Sequence, residues 1–138
     1  QVDHFFYFIF LVHFANAQTY NLTVVITNIK SLTGEIKIGL YNNKTGFPRK
    51  EHIYKSLTLK VKNSSETYII KDLPKGDYAV ALFHDKNADG ICNTNILGIP
   101  EEGYGFSKNY KPILSAPSFN NCRINLNDNM QIVIKLIL

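Results

Sequence analysis

Asp85, Asn87 and Asp89 stand at alternate positions in the run His84-Asp85-Lys86-Asn87-Ala88-Asp89-Gly90-Ile91-Cys92-Asn93-Thr94-Asn95. Oxygen-bearing side chains spaced this way in a tight loop can converge on one hard cation, and calcium takes about six to eight oxygens at about 2.3–2.6 Å. In this D-x-N-x-D-G pattern Gly90 permits the sharp turn, Ile91 offers its backbone carbonyl and Asn93 holds the ninth position of a calcium loop. The twelfth position is Ile96 where an EF-hand needs a bidentate glutamate, and no helical pattern flanks the segment, so the EF-hand is excluded. Two carboxylates with neutral amides suit a modest calcium site in an exported protein. The same residues equally suit a metal-free array of Asx turns, in which Asp and Asn side chains accept hydrogen bonds from nearby backbone N–H groups. A transition metal is disfavoured, because His84 is a lone imidazole at the end of a strand.

A second group lies in Glu101-Glu102-Gly103-Tyr104-Gly105-Phe106-Ser107-Lys108-Asn109-Tyr110. Tyr104, Phe106 and Tyr110 among glycines could form an aromatic platform for a sugar or a small ligand. The alternative is that they pin a long loop onto the sheet, where the small Ala79 and Ala81 leave room for rings. Glu101 and Glu102 do not form a glycosidase pair, since adjacent residues in an extended segment point opposite ways. Cys92 and Cys122 are the two cysteines. Oxidising conditions would favour a disulfide between them, closing a loop of about 30 residues worth about 3 kcal/mol in loop-closure entropy; two free thiols are the alternative. The chain has no G-x-S-x-G, no H-E-x-x-H and no phosphate-cradling glycine loop, so a non-catalytic protein is expected, with an unrecognised hydrolase as the alternative.

Period-two alternation positions these groups. Leu22, Val24 and Ile26 share a face in YNLTVVIT, Ile36, Ile38 and Leu40 in GEIKIGLYN, and Leu57, Leu59 and Val61 in SLTLKVKN. Such patterns are half-buried strands. ETYIIKDL adds a fourth strand, and GDYAVALFHD a fifth with no polar face, which must be central and covered on both sides. NCRINLN and MQIVIKLIL complete seven. Turn residues separate them, and no 3.6-residue pattern competes, so the expectation is a seven-stranded antiparallel Greek-key β-sandwich, immunoglobulin-like or transthyretin-like. About 30 residues between Asp85 and Phe119 show no strand pattern; connections of that length are commonly functional.

At 138 residues and 45% hydrophobic, the chain suffices for a single core. The unbroken apolar stretch Phe5–Val12 followed by Ala15-Asn16-Ala17 has the form of a signal peptide with a small-x-small cleavage site, leaving residues 18–138 as the single mature domain. No basic region precedes the stretch and the chain begins with Gln1, so residues 1–17 read as an incomplete signal peptide. The expected location is periplasmic or extracellular, with no transmembrane segment in the mature chain. Removing residues 1–17 takes away Asp3 alone and leaves 15 basic residues, a mildly basic protein. The lysines alternate with apolar residues as on a solvated sheet face, which excludes a nucleic-acid patch and leaves a cell-envelope or glycan partner.

The run LPKGDYAVALFHDKNADGICNTNILGIPEEGYGFSKN, followed by APSF, resembles the bacterial DUF2141 family. GEIKIGLYNNKTGFP is similar to that family's early strand and turn, so the resemblance extends over most of the mature chain. It implies an exported β-protein of no established activity. DLPKGDYAV also resembles the strand-turn-strand of transthyretin-like and carboxypeptidase-regulatory-like sandwich domains, which are usually accessory modules.

Overall fold

Ile70 and Leu73 both need the interior although they stand three apart, a spacing that a regular strand cannot bury on one face. The computed structural model, which describes residues 17–91 and 102–138, shows how the chain resolves this. Strands β1 (Thr19–Thr27) and β4 (Glu66–Pro74) pair antiparallel, with a register shift between Tyr20 and Leu22. Asp72 adopts φ 58° within that irregularity, and its N–H donates to the Asn21 side-chain oxygen at 3.2 Å. The bulge turns the chain by one residue, and Ile70 and Leu73 are both buried.

The remaining strands are β2 (Glu35–Tyr41), β3 (Lys55–Lys60), β5 (Gly76–Asp85), β6 (Tyr104–Phe106), β7 (Ile124–Leu126) and β8 (Met130–Lys135). Every segment expected to be a strand contains one. The eighth, β6, lies in the stretch expected to lack strands; Gly105 and the short length mask its alternation. The protein is all-β with two sheets, one ordered β4-β1-β8 and the other β3-β2-β5-β6, with β7 also on β5. Pairing is not wholly antiparallel as expected, because β8 runs parallel to β1 from Leu22↔Met130 to Thr27↔Lys135. Alternation fixes which side chains point inward and is indifferent to strand direction, so this pairing had no signal in the pattern.

The two sheets share one core. Leu22, Val24 and Ile26 from β1 meet Ile36, Ile38 and Leu40 from β2, Tyr78, Val80 and Leu82 from β5, and Ile134 from β8. The second face of β5 is covered at Ala79, which joins Tyr41, Phe119 and Cys122 in a separate cluster with Phe47, Ile53, Ala81, Phe106 and Tyr110 at its margin, whereas Ala81 and Phe83 further along that face are only half-buried. One edge of β5 pairs with β2, and the other is shared by β6 at Ala81–Phe83 and β7 at Gly76–Tyr78. The free edge of β8 is partly satisfied without a strand. The Asn109 carboxamide donates to the Val133 carbonyl at 3.0 Å and accepts from the Lys135 N–H at 2.8 Å, as a strand residue would. That lessens the hazard of an exposed final edge.

Candidate functional site

Strand β5 carries Asp85 into the interior, where it is 0% exposed. Its Oδ1 accepts the Asp89 N–H at 3.1 Å and its Oδ2 the Gly90 N–H at 2.5 Å. Asp89 Oδ1 accepts the Ile91 N–H at 2.8 Å, Asn87 Oδ1 accepts the Asp89 N–H at 3.4 Å, and the Asn87 amide nitrogen donates to Asp89 Oδ2 at 3.0 Å. This is a chain of Asx turns, one of the two arrangements the sequence allowed. The carboxylate oxygens keep further lone pairs beyond the backbone bonds they accept, and the Asn87 amide nitrogen faces Asp89. Asn87, Asp89 and Ile91 are exposed, while Asn93 lies outside the described residues. Among the described residues no group of three or more His, Cys, Asp or Glu side chains converges. His84, buried beside the loop, meets the Thr33 carbonyl through Nε2 at 2.7 Å and so ties β5 to the turn before β2.

The aromatic residues are brought together in part. Phe106 and Tyr110 pack on the cluster around Ala79, and Phe47 links the rings, with its centroid 4.8 Å from Tyr41, 6.5 Å from Phe106 and 6.0 Å from Phe119. Tyr104 lies 6.1 Å from Phe106 and opposite Phe83. Cys122 is wholly buried and its expected partner Cys92 lies outside the described residues. The buried Ser107 hydroxyl donates to the Cys122 carbonyl at 2.5 Å and accepts the Val80 N–H at 2.9 Å, fixing the helical turn α1 (Phe119–Cys122) to β5.

A cleft opens on the outer face of the β3-β2-β5-β6 sheet. In-register partners align side chains in two rows across this face, Thr58, Lys37, Phe83 and Tyr104 in one and Ser56, Gly39, Ala81 and Phe106 in the other. Gly39 opposite Ala81 leaves a depression, and Tyr41, Pro48, Lys50 and Ile53 rise around it to enclose about 410 Å³. Gly90 of the Asp85 loop also lines it, so the loop's hydrogen bonds set one wall. A volume of this size, part aromatic and part polar, is typical of a small-ligand pocket. Lys37 is held at the floor by Glu35 at 2.8 Å and by the Thr58 hydroxyl at 3.3 Å. Sequence reasoning reads Ala81 as room for packed rings and Gly90 as the turn of a calcium loop, and assigns none of the other residues lining the cleft to a site. The available signal was a glycine and an alanine on the outer faces of adjacent strands, and it becomes legible only once the register is known.

Burial pushes the Tyr41 phenol from 10.0 up to about 12, with Glu51 adding to the rise, and its O–H donates to the Pro48 carbonyl at 2.9 Å. Burial likewise raises the Cys122 thiol from 9.0 to about 11, against an opposing pull from Lys108. Both groups are acids whose folded-state pKa lies above the unfolded one, so the unfolded chain ionises first as pH rises. These two groups are therefore expected to leave stability unchanged up to about pH 9 and to lower it between 9 and about 12. Urea midpoints across this range check it, and Tyr41→Phe should flatten the part of the fall above pH 10.

Fold and cleft together define a two-sheet all-β protein with an open cleft on one outer sheet face. The sequence model of a bacterial family, described as an uncharacterized protein conserved in bacteria (DUF2141), matches residues 24–133, and the chain belongs to that family. No curated protein and no solved structure matches the chain. Among the described residues no helix is long and apolar enough to cross a membrane.

Proposed function

We propose that this protein is an exported, non-catalytic binding module whose ligand lies in the cleft on the β3-β2-β5 face. The observation that carries the reading is the cleft of about 410 Å³, where the half-buried Phe83 offers a ring surface beside the Lys37 ammonium and the Ser56 and Thr58 hydroxyls. Such a lining matches a ligand with one apolar face and a polar rim, and a glycan has that chemistry. The aromatic platform expected from Tyr104, Phe106 and Tyr110 narrows to Tyr104, beside Phe83, because Phe106 and Tyr110 are engaged in packing. Export rests on the apolar stretch Phe5–Val12 and the small-x-small site after it.

The sandwich connectivity belongs to the same proposal. In an immunoglobulin sheet strands A, B, E and D lie together, whereas here the first strand lies between the fourth and the last. That order favours the transthyretin-like form. A calcium ion at Asp85, Asn87 and Asp89 would act as an accessory to the loop, bound through the lone pairs that its Asx turns leave free.

A glycan array tests the binding reading, with Ser56→Trp as the companion variant. Ser56 is exposed on β3 and lines the cleft, so tryptophan there fills the site without entering the core. Hits on the parent chain are expected to weaken by about tenfold or more in Ser56→Trp, the scale of losing one well-placed contact. Hits that bind the variant as tightly as the parent would remove the cleft from the account.

A further inference from the structure

Ile113 and Leu114 are 89% and 97% exposed, side by side at the tip of the loop Lys111-Pro112-Ile113-Leu114-Ser115-Ala116. Single exposed aliphatic residues are ordinary, but two adjacent ones this far into solvent need a reason. The loop is not a loose end, since both its bases are fastened. On one side Asn109 clamps the edge of β8 and Tyr110 packs on the second cluster. On the other Pro117 is buried, the Ser118 side chain caps α1 in a reciprocal box with Asn121, and Phe119 is 7% exposed. The fold therefore holds an apolar tip out into solvent on a braced stalk.

Along the chain, the charge flanking the tip has one sign. From Gly103 to Asn127 the chain carries Lys108, Lys111 and Arg123 and no acidic residue, and both lysines are exposed. We propose that this loop is a membrane-docking finger that inserts Ile113 and Leu114 into the surface of an anionic bilayer while Lys108 and Lys111 meet the lipid head groups. Apolar side chains flanked by basic ones are the combination that binds reversibly at such an interface, and neither part suffices alone. The surface lies outside the ligand cleft and the proposal is independent of what the cleft binds.

The chain has no tryptophan, so Leu114→Trp places a single reporter at the tip of this loop. Vesicles containing phosphatidylglycerol are expected to shift its emission to the blue, and brominated acyl chains to quench it. Ser65→Trp, on the exposed turn between β3 and β4, serves as a reporter away from the finger and is expected to stay unshifted. Changing Lys108 and Lys111 together to glutamine should weaken vesicle binding by about 30-fold, from the usual contribution of a basic residue near an anionic surface. An unshifted Leu114→Trp, an equal shift at Ser65→Trp, equal binding to neutral phosphatidylcholine vesicles, or a concentration-dependent shift without lipid would each overturn the proposal. The last would indicate self-association through the tip.

Discussion

Replacing Gly34 with alanine is expected to cost about 3 kcal/mol or more, the sum of a left-handed backbone penalty and an overpacked contact. Gly34 has φ +72°, and a Cβ there would run into the backbone carbonyl of Asp85 and the backbone of Lys86. Neither side can yield cheaply. Glu35 pairs with Asp85 in the β2–β5 ladder, the Gly34 carbonyl accepts the Val61 N–H at 3.1 Å, and His84 holds the neighbouring Thr33 carbonyl. Relief of the clash would therefore disturb β2, β5 and the start of the Asp85 loop together. Gly90→Ala is the internal control, since Gly90 has φ +76° with nothing within reach of an added Cβ. It should lose only about 1 kcal/mol. Urea unfolding of the two variants measures the difference, and equal losses would show that the carbonyl contact at Gly34 carries no weight.

Asp85→Ala is expected to lose about 3 kcal/mol, because two N–H groups that bond to a buried carboxylate are left to find other partners. Each such bond contributes about 1.5–3 kcal/mol, and the exposure of Asp89 and Gly90 lets water recover part of it. Asp85→Asn keeps the shape and one carbonyl acceptor but sets an amide NH₂ against a backbone donor, so about half the loss should remain. The same pair of variants decides the loop's relation to calcium. With Asx turns in charge, the deficit is equal in chelator and in millimolar calcium. A deficit that grows with calcium, together with a rise in the parent's melting temperature, would put an ion on Asp85, Asn87 and Asp89. Ligand binding should weaken in Asp85→Ala as well, since Gly90 forms one wall of the cleft.

Both predictions concern one junction, where β5 ends and its loop begins. Its logic was partly legible in advance. GDYAVALFHD has no polar face, and a strand without one must be covered on both sides; the structure puts the main core under Tyr78, Val80 and Leu82 and the second cluster under Ala79. Asp and Asn at alternate positions followed by glycine announced a side-chain-organised turn, and the turn is there. Of the aromatic candidates, the small Ala79 and Ala81 pointed to ring packing, which Phe106 and Tyr110 carry out. The cleft was not legible in this way. Its floor is Gly39 beside Ala81, two residues 42 positions apart that become neighbours through the β2–β5 register.

The amino-acid pattern by itself determined most of the local facts: which stretches are extended, β6 apart, which side chains face inward, the bulge at Asp72 apart, and where the backbone turns on glycine, proline or a short polar side chain. These follow from the two-residue period of a strand and from the dihedral freedom of single residues, so they need no partner to be known. Tertiary structure alone decided the parallel docking of β8 on β1, the carboxamide of Asn109 standing in for a strand, and the depression where Gly39 meets Ala81. Each of these depends on which strand lies beside which and in what register. Long-range burial sets that choice, and it leaves no period in the sequence.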